Sequence, residues 1–187
     1  VPSPAPFYAV FRIPKHILVP MIVACALFME NMDSTVIATS LPTIARDLHE
    51  DPIALKLALT SYLLSLAVFI PISGWMSDRF GSRTVFRSAI CVFMGGSILC
   101  ALSGSLAGFV AARFVQGMGG AMMVPVGRLV VLRAYPRTEL VRIMSFITLP
   151  GLLGPLIGPS LGGWLVEVAS WHWIFLINLP VGLLGCW

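Results

Sequence analysis

Apolar residues along this chain gather into runs of about twenty, the length of α-helix that crosses a hydrocarbon core. The first predicted span runs from Ile17 to Ser40, and a polar segment with Pro42, Arg46, Asp47, Glu50 and Asp51 follows it. The second runs from Ala58 to Met76 and is closed by a charged turn, Ser77 to Arg87. The third covers Ser88 to Leu106, with an uncharged turn around Gly108, and the fourth covers Phe109 to Val131. A basic loop, Leu132 to Arg142, leads into the fifth span, Ile143 to Val166. After Ser170, Trp171, His172 and Trp173 read as an interfacial aromatic cluster, and a sixth span starts near Ile174. Open strands leave backbone groups unpaired in lipid, so every span is assigned as helix. The expected architecture is an all-α membrane protein with five complete spans and the start of a sixth, cut off at Trp187.

Composition supports that reading. The chain is 58% hydrophobic and 11% charged, with a mean hydropathy of +0.94. A soluble domain carries about a quarter charged residues, so a water-soluble fold is excluded. The net charge of +4 does not point to nucleic acid, because the basic residues lie between spans rather than on one face. Arg12, Lys15, Arg79, Arg83, Arg87, Arg128, Arg133, Arg137 and Arg142 all fall on one side of the predicted topology. Arg46 and Lys56 fall on the other side, among Asp47, Glu50 and Asp51. Positive charge favours the cytoplasm, so the N-terminus is expected there, with residues 1–16 as a cytoplasmic tail and 17–187 as the bundle. The first span is too long for a cleavable signal peptide and lacks a small-residue cleavage site.

Several chemistries are not expected. Cys25, Cys91, Cys100 and Cys186 sit inside apolar segments without C-x-x-C spacing, and read as small buried hydrophobes. His16, His49 and His172 are isolated from one another, so no metal site is expected. No nucleophile, base and orienting group cluster together, which argues against an enzyme. No P-loop is present to cradle a phosphate.

The candidate chemistry lies in the charges kept inside spans, where each costs a few kcal/mol. Glu30 and Asp33 are three residues apart and share a helical face. Arg113 begins a polar and small stripe with Gln116, Gly117 and Gly120. Asp33 stands about 10 Å from the outer end of span one, and Arg113 about 7 Å from the outer start of span four. The two can meet if those helices are neighbours. A carboxyl group balanced between desolvation and a nearby arginine can load and release protons. A static ion pair locking two helices is the other reading. Glu30 is either a second protonation or cation-binding site or a residue facing a watery cavity.

The loop Gly74-Trp-Met-Ser-Asp78-Arg79-Phe-Gly81-Ser-Arg83 is the most specific signal. Gly74 permits close helix approach, Asp78 can interact with a helix N-terminus, and Gly81 permits a tight turn. The segment resembles the G-x-L-A-D-R-x-G-x-R/K loop of the major facilitator superfamily, with Met76 and Ser77 replacing the commoner leucine and alanine. Arg113 to Ala121 resembles that family's fourth-helix R-x-x-Q-G-x-G-A motif. Gly151-Leu-Leu-Gly154-Pro155-Leu-Ile-Gly158-Pro159-Ser-Leu-Gly162-Gly163 resembles its fifth-helix antiporter motif. Met32 to Ile37, continuing to Leu41-Pro42, resembles the first-helix motif of the multidrug drug/proton antiporter branch, usually built with fourteen spans. Trp171 to Pro180 points the same way. Ala38 stands where that branch often has asparagine.

The resemblance implies a proton-coupled antiporter in the bacterial inner membrane that exports amphipathic or cationic small molecules by alternating access. It implies no cofactor beyond the proton gradient, and a C-terminal half that completes the cavity and gate. Glu30, Asp33, Arg113 and Gln116 would serve coupling or line the cavity, and the loop from Gly74 to Arg83 would help close the cytoplasmic gate. Gly154, Gly158 and Gly162 form a flat stripe for helix packing, while Pro155 and Pro159 should bend the helix. The resemblance adds a seal against proton leak. Two alternatives stand beside this reading. One is a metabolite, sugar or siderophore transporter of the same fold, and the other is a truncated membrane fragment that transports nothing.

Overall fold

The computed structural model describes residues 15–186, with side chains from 17 to 185. The tail expected at 1–16, including Arg12, thus lies outside the described residues except for the backbone of Lys15 and His16, as does the side chain of Cys186. Seven helices follow one another: α1 (Lys15–Asp47), α2 (Pro52–Phe80), α3 (Ser82–Leu102), α4 (Leu106–Ala134), α5 (Arg137–Val168), α6 (His172–Leu176) and α7 (Asn178–Cys186). Among the described residues, five of them, α1 to α5, are long and apolar enough to cross a membrane.

The helices overrun the apolar runs that nucleate them. α1 has 33 residues, about 50 Å at the helical rise, against a hydrocarbon core of about 30 Å. Once a helix is formed, each further residue adds a hydrogen bond at little cost, so the ends continue into the interface. The connections are therefore shorter than the hydropathy pattern predicts. Gly81 alone separates α2 from α3, and most of the charged turn from Ser77 to Arg87 is helical. Its φ of +85° suits glycine, which has no Cβ to clash. The turn after α3 falls at Ser103–Ser105 rather than around Gly108, which belongs to α4. Ser105 caps α4 by accepting from the Gly108 N–H at 3.2 Å, and Asp51 caps α2 by accepting from Ile53 at 2.7 Å.

α4 packs against both α2 and α3, α1 packs against α5, and the α6–α7 pair lies on α1 and α3. Small residues allow the close approaches. A Cβ on Gly117 would fall 2.8 Å from Ser65 Cβ on α2, and one on Gly119 would fall 2.5 Å from the Phe93 backbone on α3. Ser61 and Ser65 then donate across to the Val110 and Phe114 carbonyls at 3.0 and 2.8 Å. Two apolar cores result. Met29, Ile90, Phe93, Met123 and Val126 belong to one, and Ile37, Ile44, Leu55, Phe109 and Phe175 to the other.

The cysteines do not all behave as buried hydrophobes: Cys100 is buried, Cys25 partly so, and Cys91 is exposed. Trp171 is packed within the protein. It is 3% exposed and donates its indole N–H to Asp47 at 2.7 Å, fastening the start of α6 to the end of α1. His172 stacks on it, and Trp173 alone of the three is exposed.

Candidate functional site

Between the two apolar cores lies a buried polar cluster built from four of the helices. Asp33 comes from α1, Ser97 from α3, Arg113 and Gln116 from α4, and Asn178 from α7, and none is more than 1% exposed. Arg113 Nη1 donates to Asp33 Oδ2 at 2.7 Å and to Gln116 Oε1 at 2.8 Å. Gln116 Nε2 donates to Asp33 Oδ1 at 3.0 Å and to Ser97 Oγ at 2.8 Å. Asn178 Nδ2 approaches the same two acceptors, at 3.2 and 3.3 Å. The Cys100 thiol points at Gln116 Oε1 from 3.6 Å.

Local sequence explains the convergence. Arg113 and Gln116 are three apart and so share one face of α4. Gly96 lets α3 come so close to α4 that an added Cβ would fall 2.5 Å from the Gln116 backbone, which puts Ser97 within reach. Pro180 cannot donate a backbone hydrogen bond to Leu176, and the sixth apolar segment breaks at Ile177 into α6 and α7. The break sets Asn178 at the head of α7.

An aromatic shell closes over the guanidinium. Arg113 Cζ lies 4.8 Å from the Phe175 ring, 5.7 Å from Tyr62 and 6.0 Å from Phe109. Such faces attract a cation while excluding water. Arg113 Nε and Nη2 remain buried without a hydrogen-bond partner among the described residues, as do Tyr62 Oη and Asn178 Oδ1.

The expected meeting of Asp33 and Arg113 is thus present in the structure, and Gln116 joins it, whereas Glu30 stands apart. It is partly exposed, and Glu30 Cγ and Tyr62 Oη both pack over the bare Cα of Gly120. Sequence reasoning assigned no role to Ser97, Tyr62, Phe175 or Asn178. Asn178 was the most legible of these, as an amide inside an apolar run.

The loop motif is arranged differently from the expectation. Gly74 is exposed and a Cβ there would meet nothing within 4 Å, so no helix among the described residues approaches it closely. Asp78 binds Arg133 of α4 at 2.7 Å in place of a helix N-terminus, tying the ends of α2 and α4 together. Arg79 lies 5.9 Å from the Trp75 and Phe80 rings, and Arg83 is exposed.

In α5, Gly154, Gly158 and Gly162 all face α1. Cβ atoms there would press on the Met32 backbone, on Thr35 Oγ1 and on Val36 Cγ1 respectively. Gly151 is looser, with Asn31 Nδ2 3.7 Å from where its Cβ would be, and Gly163 meets nothing within 4 Å. Pro155 and Pro159 point outward, and α5 continues as one helix through them. The hydroxyls opposite the glycines are satisfied on α1 itself: Thr35 donates to Met32 O at 2.9 Å and Thr39 to Val36 O at 2.8 Å.

Comparison with known proteins agrees with this architecture. The chain is 54% identical over 164 residues to Salmonella proteins named MdtD, from Salmonella dublin and Salmonella typhimurium, whose name assigns them to multidrug resistance. The match covers 88% of this chain and 35% of each relative, so the chain spans about a third of their length. In structure it resembles the proton:xylose symporter XylE bound to 6-bromo-6-deoxy-D-glucose, with a TM-score of 0.79 and 16% identity. That likeness covers 91% of this chain and 43% of XylE, and speaks to the fold. The family profile described as Major Facilitator Superfamily matches residues 23–187, so this integral membrane chain belongs to the major facilitator superfamily.

Proposed function

We propose that this chain is the N-terminal bundle of a proton-coupled multidrug efflux transporter, in which Asp33 is the proton acceptor and Arg113 its counter-charge. The observation that carries the reading is the sealed cluster around Asp33: a carboxylate 1% exposed, held by one arginine nitrogen and amide donors. Lone charges are expelled from a bilayer core, so an acid kept there must be paired, and its protonation changes the whole cluster. When Asp33 takes a proton, its attraction to Arg113 is lost. The guanidinium then keeps Gln116 Oε1, the aromatic faces and at most a neutral carboxyl oxygen, and α1 is no longer bound to α4 by charge.

Glu30, partly exposed and beside Tyr62, would meet a cationic group in the cavity of the complete transporter, a role its partial exposure supports. The multidrug names of the MdtD relatives support amphipathic or cationic substrates. The remaining spans of the transporter supply the opposite wall of that cavity and the partner surface for the loop from Gly74 to Arg83. The basic ends of α2, α4 and α5, with Arg79, Arg133 and Arg137, face the cytoplasm of a bacterial inner membrane in this reading.

The test is ethidium efflux from proteoliposomes holding the full-length transporter, driven by an imposed pH gradient. Asp33→Asn is expected to abolish uphill efflux while leaving ethidium binding intact. Uphill efflux by Asp33→Asn at the wild-type rate would remove Asp33 from the coupling step.

A further inference from the structure

We propose that Asn178 is a positioning residue that holds the ionised Asp33 and ties the sixth apolar segment to its protonation state; this rests on Asp33 being the proton acceptor. Asn178 Nδ2 lies 3.2 Å from Asp33 Oδ1 and 3.3 Å from Ser97 Oγ, and the residue is 0% exposed. Its orientation follows from chemistry. Turned over, the amide would set Oδ1 against a carboxylate oxygen, so the charged form of Asp33 holds the donor towards it.

Gln116 makes the contrast clear. Arg113 Nη1 fixes Gln116 Oε1, so that amide is held at both ends. Asn178 Oδ1, by comparison, is buried without a hydrogen-bond partner among the described residues. Asn178 is therefore held only by what its Nδ2 donates to. A proton on Asp33 Oδ1 weakens that acceptor, and Ser97 Oγ, shared with Gln116, becomes the main contact left to Asn178. The effect reaches the helix pair because Asn178 opens α7 right after the break at Ile177. Phe175, on the other side of that break, lies against Arg113. The α6–α7 junction thus touches both members of the ion pair, the acid through Asn178 and the base through Phe175.

The ionisable groups near this cluster are Asp33 and Glu30 on α1, Tyr62 on α2, Cys100 on α3 and Arg113 on α4. His172 of α6 stacks on Trp171 instead. Among the described residues, α5 and α7 add no ionisable group to the cluster.

The experiment is an infrared pH titration of the purified full-length transporter. It follows the protonated-carboxyl stretch that disappears in Asp33→Asn. Asn178→Leu keeps the branched shape and the apolar character of the span but removes the donor. Its half-titration point is expected about one pH unit above wild type, the effect of one lost hydrogen bond to a charged group. Asn178→Ser, smaller and still able to donate, is expected between the two, and it carries the test if the leucine variant does not fold. Wild-type titration in both variants would overturn the role of Asn178 while leaving Asp33 as acceptor. If wild type shows no band that Asp33→Asn removes, the proposed acceptor fails first and this inference falls with it.

Discussion

Arg113 meets Asp33 through a single nitrogen, Nη1, which stands 2.7 Å from Oδ2 and is also shared with Gln116. A guanidinium can grip a carboxylate with two parallel bonds. Here the other carboxylate oxygen is already taken by the amides of Gln116 and Asn178, which leaves Arg113 end-on. Asp33 is consequently held from two other helices at once, α4 and α7, and the arginine retains unused donors beneath an aromatic cover.

That geometry makes the charges interdependent. Arg113→Ala should destabilise the full-length protein by about 3–5 kcal/mol, because it strands a buried carboxylate. The double variant Asp33→Asn/Arg113→Gln should recover at least half of the loss. Thermal unfolding in detergent measures both. Equal melting temperatures for wild type and Arg113→Ala would show that the ion pair carries no structural weight.

The glycine stripe of α5 predicts a sharp contrast within one helix. Gly158→Leu drives a side chain into Thr35 and should cost about 1–3 kcal/mol, the usual penalty for overpacking. Gly163→Leu points into open space and should be tolerated. Under the sealing role inferred for this stripe, only Gly158→Leu should raise passive proton leak, read with a pH dye trapped in proteoliposomes.

Asp78 and Arg133 form an exposed pair, with side chains 73% and 48% accessible. Exposed pairs contribute within about 1 kcal/mol, so Asp78→Asn should leave the melting temperature nearly unchanged. A gating role predicts a large fall in transport all the same. If stability and transport fell together, Asp78 would be structural.

Orientation can be read by labelling single cysteines in intact cells with a membrane-impermeant maleimide. Thr84→Cys, at the α2–α3 junction, should stay unlabelled until the cells are opened. Lys56→Cys, near the start of α2, should react from outside. The reverse pattern would invert the topology inferred from the arginines.

The spans and their chemistry were largely readable in advance, for different reasons. A bilayer imposes a minimum apolar length, so α1 to α5 announce themselves, and only their ends were misjudged. Hydropathy marks where lipid begins, whereas the helix ends where capping and turn residues end it. Asp51, Gly81 and Ser105 are such residues, and they make the connections short. The pairing of Asp33 and Arg113 was legible because charges are rare in spans and each needs a partner at its own depth. The surroundings of Gly74 and Asp78 were not legible, because a motif states which residues are small or charged without saying what lies opposite them.

By itself, then, the sequence determined the helical class, the number of complete spans and which charges must find partners, since each follows from the cost of exposing a polar group to lipid. Only the tertiary structure decided that Ser97 and Asn178 join Asp33, that Phe175 and Tyr62 cover Arg113, and that Glu30 lies outside the cluster. Those facts depend on how α3, α4 and α7 rotate and approach one another. Rotation is set by close packing at Gly96 and Gly119, and by the break at Ile177 ahead of Pro180, contacts between segments far apart in the chain that no local pattern encodes.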